Sequence, residues 1–390
     1  MTRNELEKYI INIRHKIHKY PELGFREFRT QKLILDELKK CGITASKTKT
    51  KTGVIATLRG TKKVKTGKAL VIAFRADMDA LPIIEETGKA YSSKIKGVMH
   101  ACGHDTHVAM LLGAARLLSK RKSDFSGSVR FIFQPNEEGG DGAKHMISSG
   151  CLKSPKPDII FGMHVAPSLP SGVLGLRYGA MMAAVDKINI TLIGSGGHAA
   201  EPHKTQHTIL ASCVLVQELQ NIISEKLNLN EPAVLSICTI HGGTGFNIIP
   251  KTIELSGTVR SISNATRKKI HAEMKKSVKN VCKKYGIKGN IDIEYVGDPL
   301  INIKSAVEKA HNAGRAVLGE KKIYYIDKTS MGGEDFADYL NYINGAFFYL
   351  GVKNADKNIV YPWHNPRFDV DEKALVLGAE IFVKIIEQNM

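Results

Sequence analysis

The stretch Ala69-Leu-Val-Ile-Ala-Phe-Arg75 is an unbroken apolar run that ends in a charged side chain. Two similar runs follow, Ser128-Val-Arg-Phe-Ile-Phe133 and Asp158-Ile-Ile-Phe-Gly-Met163. Patterns with helical periodicity separate them, at 106–119 and at about 142–150. Short apolar strands that alternate with helices are typical of α/β folds. Most candidate active residues in this half of the chain follow such a strand, where open α/β sheets place their sites.

The pattern changes from about residue 185. A strand, helix, strand, strand, helix, strand order is predicted over 187–193, 205–226, 233–240, 252–260, 264–285 and 290–296. This order predicts an inserted ferredoxin-like α+β domain. The α/β pattern resumes with the apolar strand 345–350 and a terminal helix at about 371–388. We therefore predict a discontinuous first domain, 1–184 and 299–390, and an inserted domain, 185–298.

Earlier in the chain, residues 2–41 have helical periodicity that is interrupted at Pro21-Glu22-Leu23-Gly24. Two helices around a turn are expected there.

The composition is that of an ordinary globular protein, with 390 residues of which 43% are hydrophobic and 24% charged. No apolar run reaches the roughly 18 to 20 residues needed to span a bilayer, and the first residues lack a secretory pattern. We expect a cytoplasmic protein without a membrane partner. Six scattered cysteines without a Cys-x-x-Cys pair argue against disulfides.

The formal net charge of +18 raises the alternative of a nucleic-acid-binding protein. The excess is mostly lysine spread over the whole chain, with no aromatic-basic RNA motif and no zinc-finger spacing. A solvated lysine-rich surface is the preferred interpretation, and no nucleic-acid partner is expected. The positive field would attract anionic substrates such as free carboxylates.

The stretch His100-Ala-Cys-Gly-His-Asp-Thr-His107 brings one thiol and three imidazoles together. A single histidine is usually a surface or hydrogen-bonded core residue, and it is the clustering that indicates a site. Thiolate, imidazole and carboxylate donors suit a borderline metal such as zinc or manganese. Gly103 suggests that a helix begins only after His104, so that its dipole would favour a thiolate at Cys102.

Two adjacent acids, Glu137 and Glu138, follow the strand 128–133. On an extended segment adjacent side chains point in opposite directions. One carboxylate would then bind metal while the other reaches a bound water from a different side. The alternative is two solvated acids at a turn.

Further candidates lie after other strands. In Arg75-Ala-Asp-Met-Asp-Ala-Leu-Pro82, a carboxylate would accept the N–H of a ligand imidazole and fix its tautomer. His164 closes the strand 158–163, and His364 lies in Tyr361-Pro-Trp-His-Asn-Pro366. With these two histidines the ligand set is complete.

Taken together, the motifs resemble the amidohydrolase branch of the M20 metallopeptidases, which contains hippurate hydrolases, indole-3-acetyl-amino-acid hydrolases and aminoacylase/carboxypeptidases. The resemblance covers essentially the whole chain. Besides the stretches already quoted, the matching motifs are Arg14-His15-x-x-His18-x-x-Pro21-Glu22-Leu23-Gly24, Gln134-Pro-x-Glu-Glu-Gly139, Gly196-Gly-His-Ala-Ala-x-Pro202, Phe246-Asn-Ile-Ile-Pro250, Gly257-Thr-Val-Arg260 and Glu334-Asp-Phe336.

The resemblance implies two divalent metal ions per subunit, Zn, Mn, Ni or Co, bridged by Cys102. One ion would be held by His104 and His164, and the other by Glu138 and His364.

The resemblance also assigns catalytic roles. Glu137 would be the general base, and Asp79 matches the family's supporting aspartate. Asp77 stands where other M20 branches carry a metal-binding histidine.

The inserted domain matches the family's lid and dimerisation domain, which implies a homodimer or homotetramer. There, His198 would polarise the scissile carbonyl, and Asn247 and Arg260 are candidates for the substrate's free carboxylate. Two departures stand out: Asn136 occupies a position often held by Ala, and Asp141 one where Gly is more usual.

The predicted function is a dinuclear metal-dependent amidohydrolase that cleaves the amide bond of an N-acyl amino acid or of a small peptide with a free carboxylate. An N-acetyldiaminopimelate deacetylase is the alternative within the enzyme class. Outside it, a catalytically silent metal-binding protein remains open, and the base Glu137 beside Glu138 argues against it because binding alone needs no base.

Overall fold

The computed structural model describes residues 1–64, 67–227 and 231–390. Within them the chain forms two compact units. The first comprises Met1–Gly179, Ile301–Lys328 and Asp335–Met390, and the second comprises Ala180–Leu300 and Thr329–Glu334.

Within the described residues, the strands form an eight-stranded sheet, a four-stranded sheet and two short two-stranded pairs. In chain order they are β1 (Thr44–Lys47), β2 (Val54–Arg59), β3 (Val71–Asp77), β4 (Ser128–Gln134), β5 (Ile159–Pro170), β6 (Leu174–Leu176), β7 (Gly179–Met182), β8 (Ala184–Ile193), β9 (Gly197–His198), β10 (Ala233–His241), β11 (Ile248–Ile249), β12 (Thr252–Ser261), β13 (Lys288–Gly297), β14 (Leu300–Asn302), β15 (Ile323–Tyr325) and β16 (Asn344–Lys353).

Helices separate many of these strands. They are α1 (Arg3–His18), α2 (Phe28–Lys40), α3 (His104–Ser119), α4 (Gly142–Ser148), α5 (Thr208–Asn221), α6 (Asn264–Tyr285), α7 (Lys304–Leu318), α8 (Phe336–Leu340) and α9 (Leu375–Asn389).

The first unit is built on an eight-stranded sheet in the order β1-β2-β4-β3-β5-β16-β6-β15. Its central strands β4, β3, β5 and β16 are parallel neighbours. All seven residues of β3 are buried, as expected for a strand covered on both faces. This is why its sequence is an unbroken apolar run and does not alternate between apolar and polar residues.

Helices cover both faces of this sheet. A Cβ atom at Gly162 of β5 would meet the ring of Phe336 in α8, whereas the next residue, Met163, lies against Gly378 of α9. Since consecutive strand residues point to opposite faces, α8 and α9 cover different faces. Helices α1, α3 and α7 pack with α9, and α4 packs with α8.

In the second unit, β8, α5, β10, β12, α6 and β13 follow one another, with the sheet order β10-β12-β8-β13. All three strand pairs are antiparallel. Alternate residues of β8, among them Ile188, Ile190 and Leu192, are buried in a core with α5 and α6 residues. This is the predicted ferredoxin-like order.

The mixed α/β fold class is confirmed, and the helix predicted over 264–285 coincides with α6. Other expectations need correction. The predicted strand 158–163 continues as β5 to Pro170, and α3 begins at His104 rather than after it. Strands β1 and β2 and helix α7 had no predicted counterpart.

All six cysteines are free thiols, in line with the absence of a disulfide framework. Among the described residues, no helix combines the length and apolarity that crossing a bilayer requires.

Candidate active site

The candidate site of the first unit lies where neighbouring parallel strands end. Strand β3 ends at Asp77 and β4 at Gln134, and these two residues are paired in register. On β5, His164 lies two residues beyond Gly162, the last residue paired with β3. The polar residues that follow each strand are therefore gathered at one edge of the sheet.

All five predicted ligands come together there. The donor atoms of Cys102, His104 and His164 lie within 4.8 Å of one another, and so do those of Cys102, Glu138 and His364. The Cys102 Sγ atom is 3.4 Å from Nε2 of His164, and Nε2 of His364 is 3.2 Å from Oε1 of Glu138. The two groups share one member, the thiol of Cys102.

The His104 ring is oriented by Asp79. Its Nδ1 atom lies 3.2 Å from Oδ1 of Asp79, and the other carboxylate oxygen accepts the backbone N–H of Glu138 at 3.0 Å. In the neutral ring, a proton on Nδ1 leaves a lone pair on Nε2. That atom is buried and has no hydrogen-bond partner within the described part of the chain. The predicted supporting role of Asp79 is consistent with this geometry.

The His164 ring is oriented through the backbone of Val165. Nδ1 of His164 donates to the carbonyl of Val165 at 2.8 Å, and the indole Nε1 of Trp363 donates to the same oxygen at 2.9 Å. The amide of Val165 in turn donates to Nε2 of His107 at 3.0 Å, and Nδ1 of His107 bonds to Asp77. Both ring nitrogens of His107 therefore have hydrogen-bond partners, although one of them also lies within 4.8 Å of donor atoms of Asp77 and His104.

Burial and neighbouring charges shift the pKa values of three candidate ligands. Burial raises the pKa of the Cys102 thiol well above its usual range, although His104 lowers it. The expected thiolate-favouring effect of the helix N-terminus is therefore outweighed, because desolvation penalises the charged form. Burial lowers the pKa of His104, but Asp77 and Cys102 raise it well above its usual range. Burial and His107 hold the pKa of His164 well below that range, so its ring is neutral.

These observations fit a metal ion. Nε2 of His104 is buried and has no hydrogen-bond partner among the described residues, while Asp77, Glu137 and Glu138 lie within 4.0 Å of it. A bound ion would displace the proton of this nitrogen and that of the Cys102 thiol, because metal ligands bind in their deprotonated form.

Glu137 and Glu138 do not lie on an extended segment, which corrects the sequence-based expectation. Residues 137–140 form a turn. Nε2 of His104 is 3.9 Å from Oε2 of Glu137 and 4.0 Å from Oε1 of Glu138. Both carboxylates therefore approach the same imidazole, and the turn brings the candidate base close to the candidate ligands.

The remaining predicted residues, His198, Asn247 and Arg260, belong to the second unit. Strand β9 pairs with β11, so that His198 lies opposite Ile248, and the amide of Ala199 donates to the carbonyl of Asn247 at 3.0 Å. The motif 196–202 is thereby joined to the motif 246–250.

The ring of His198 has a defined tautomer. The backbone N–H of Ala200 donates to Nδ1 of His198 at 3.1 Å. In the neutral ring the proton then lies on Nε2, which can donate. Arg260 lies on β12, where its Nε donates to Oγ1 of Thr258 at 3.2 Å.

Sequence reasoning assigned no role to a buried network under the site. Asp335 accepts hydrogen bonds from Gln134 at 2.7 Å, from Arg75 at 2.8 Å and from the amide of Ala143 at 2.9 Å. Burial raises the pKa of Asp335 to about 6, although Arg75 lowers it. The network ties the ends of β3 and β4 to the start of α4. Arg75, Gln134 and Asp335 lie in motifs that match the family, but no local pattern indicates that they hydrogen-bond to one another.

Comparison with known proteins identifies the class. Residues 73–388 match the family model of peptidase family M20/M25/M40. The chain is 40% identical to thermostable carboxypeptidase 1 of Saccharolobus solfataricus over 96% of its own length and 94% of that protein. It is 39% identical to N-acetyl-L-cysteine deacetylase of Bacillus subtilis, over 95% of its own length and 86% of that protein.

A solved structure shares the fold. The YXEP protein of Bacillus subtilis, a dinuclear metal binding peptidase from the M20 family, superposes with a TM-score of 0.85 at 34% identity. The match covers 99% of this chain and 98% of that one. The chain thus belongs to peptidase family M20/M25/M40, and it is a metal-dependent hydrolase that acts on amide bonds.

Proposed function

We propose that this hydrolase is a dinuclear amidohydrolase that cleaves the amide bond of an N-acyl amino acid or of a small peptide with a free carboxylate. The observation that carries the proposal is the sharing of Cys102 between two groups of donor atoms, with Glu137 beside them. A carboxypeptidase and an N-acetyl-L-cysteine deacetylase among the relatives support this substrate class.

The proposed ions are Zn, Mn, Co or Ni, because a thiolate, imidazoles and a carboxylate suit borderline transition metals better than Mg or Ca. His104 and His164 would hold one ion, Glu138 and His364 the other, and Cys102 would touch both. When bound, such ions polarise a carbonyl and lower the pKa of a coordinated water towards about 7.

In the proposed reaction the chain itself moves protons. Glu137 takes a proton from the attacking water onto a carboxylate oxygen, and the water oxygen bonds to the amide carbon. Glu137 then returns the proton to the leaving nitrogen as the C–N bond breaks. Its place 3.9 Å from Nε2 of His104 supports this role, because it sets the carboxylate beside a proposed metal ligand.

The second unit is proposed to bind and orient the substrate. His198 would donate its Nε2–H to the scissile carbonyl oxygen, where negative charge develops. The hydrogen bond from Ala200 to Nδ1 supports this role because it selects the donating tautomer. Asn247 and Arg260 would receive the free carboxylate. We also propose that the protein is a homodimer or homotetramer.

A hydrolysis panel tests the substrate class. The purified protein would be assayed on hippurate, N-acetyl amino acids, N-acetyldiaminopimelate and dipeptides, with Mn, Zn, Co or Ni supplied. Cleavage of several N-acyl amino acids is expected. Exclusive cleavage of N-acetyldiaminopimelate would favour the narrower deacetylase, and no hydrolysis with any metal would contradict the proposal.

Two isosteric variants test the division of labour between the glutamates. Glu137→Gln keeps size but loses basicity, so kcat should fall by about 10² to 10⁴ with metal retained. Glu138→Gln should instead weaken metal binding, measured by elemental analysis after gel filtration. If Glu137→Gln lost its metals while Glu138→Gln kept them, the two roles would be reversed.

A further inference from the structure

The turn that carries Glu137 and Glu138 is closed by a side-chain pair. Nδ2 of Asn136 donates to Oδ1 of Asp141 at 2.5 Å, which joins the residue before the two glutamates to the residue just before α4. The amide of Gly142 also donates to the carbonyl of Asn136 at 3.2 Å. Both glutamates therefore lie inside a loop that is fastened at its two ends.

Asn136 suits this position. Its φ of 55° lies in the left-handed region, which asparagine tolerates better than most residues. Two glycines leave room for its side chain: a Cβ atom at Gly24 would stand 1.8 Å from Oδ1 of Asn136, and one at Gly139 would stand 2.3 Å from Nδ2.

Asp141 is held from its other side. Its Oδ2 lies 3.4 Å from Nε2 of His145, and the His145 ring meets the edge of Phe25 with ring centroids 5.0 Å apart. Phe25 directly follows Gly24. The N-terminal segment 21–25 therefore lies against Asn136 through Gly24, and against His145, the neighbour of Asp141, through Phe25.

The same segment also supports the residue next to Asp79. Leu23 forms an isolated parallel bridge with Ala80, and the amide of Ala80 donates to the carbonyl of Glu22 at 2.9 Å. The Pro21-to-Phe25 motif, which the proposed reaction does not use, therefore touches the two chain stretches that bear Asp79 and the paired glutamates.

We propose that Asn136 and Asp141 form a clasp, braced by Gly24 and Phe25, that positions the carboxylates of Glu137 and Glu138 at the metal centre. Both are positioning residues, since neither is proposed to touch the substrate. The inference rests on the proposed roles of the two glutamates. Because the clasp needs both partners, losing either should have the same effect as losing both.

A double-mutant cycle tests this coupling. The variants are Asn136→Gly, which keeps the left-handed backbone accessible, Asp141→Ala, and the double variant. Each single change should lower kcat and the affinity for added Mn or Zn about tenfold, within the range for residues that orient ligands, with little change in KM. The double variant should be no worse than either single one. Metal affinity is measured by calorimetry, independently of activity.

Two further variants separate positioning from simple loss of a side chain. Asp141→Asn keeps an acceptor oxygen opposite Asn136 and should restore most of the metal affinity and kcat. Gly24→Ala leaves the clasp residues intact but pushes on the Asn136 amide, and it should resemble Asn136→Gly. As a matched control, the exposed pair Lys32 and Asp36 of α2, 2.6 Å apart, should give no effect when changed to alanine.

If the losses of kcat and metal affinity in the two single variants multiplied in the double variant, the clasp proposal would be wrong. It would also be wrong if Asp141→Asn were as impaired as Asp141→Ala. Failure of the proposed function looks different. In that case Glu137→Gln keeps full activity, while the coupling between positions 136 and 141 is still measurable as metal affinity.

Discussion

Asp79 and His104 are joined by a 3.2 Å hydrogen bond that decides which imidazole nitrogen remains for a ligand. The same carboxylate accepts the amide of Glu138 at 3.0 Å, so one side chain aligns two proposed ligands. The contact with His104 is buried and that with Glu138 is partly buried, and Asp79 itself is 1% exposed.

Asp79→Ala should therefore lower metal affinity by about 10- to 100-fold, the usual effect of losing a group that orients ligands. Calorimetric titration with Zn or Mn measures the change. Asp36→Ala, an exposed aspartate of α2, serves as the control. Unchanged affinity in Asp79→Ala would show that His104 holds its orientation without this carboxylate.

Cys102→Ala should lose both ions and activity together, because the thiol belongs to both donor groups. Cys102→Asp should retain part of the function, since a carboxylate can also bridge two ions. Elemental analysis measures occupancy, with the exposed Cys213→Ala as control. Full occupancy in Cys102→Ala would count against a bridge.

The chain contains one tryptophan, Trp363, whose ring lies 5.3 Å from that of His164 and beside His364 in sequence. Metal bound at these histidines places charge next to the indole. Titration with Co or Ni should change the intrinsic tryptophan emission in step with calorimetric binding. Trp363→Phe should abolish the signal. Two ions bound without any change in emission would contradict this location of the metal centre.

The free energy of unfolding should depend on the protonation of His18, a buried residue of the motif that begins at Arg14. Burial lowers its pKa, but Asp105 and Glu85 together raise it to about 9. The unfolded value is near 6.5, so the stabilisation is complete below about pH 6.5 and is lost as pH rises through about 9.

Urea unfolding of the protein, treated with a chelator to remove metal, should show that the free energy of unfolding falls by on the order of 3 kcal/mol between about pH 6 and pH 10. His18→Gln should flatten this part of the profile, whereas the exposed His203→Gln should not. An equally steep profile in His18→Gln would assign the effect to another group.

The final prediction is that His198 acts on the active site of a neighbouring subunit. His198→Ala and Glu137→Gln proteins, each nearly inactive, would then complement in mixed dimers. With random association and independent sites, co-expression should recover up to roughly a quarter of the wild-type rate. Purified mixed dimers no more active than either parent would mean that His198 acts within its own chain or not at all.

Much of this protein follows from its sequence because periodicity is local. The apolar run 69–75 predicts β3, and the pattern over 264–285 predicts α6 to the residue. The five predicted ligands were recognisable because rare metal-binding side chains are clustered or follow strands, and the structure brings all five into two overlapping groups.

Tertiary structure alone decided how those side chains are presented. The distances among the donor atoms around Cys102 and the burial that raises the pKa of its thiol have no local signal. The sequence also gives no local signal for which nitrogen of an imidazole is left for a ligand. For His104, that choice is made by Asp79, which is 25 positions away. Strand and helix periods arise from contacts within a few residues. Donor orientation and pKa, by contrast, depend on hydrogen bonds and desolvation contributed by distant segments, which exist only once the chain has packed.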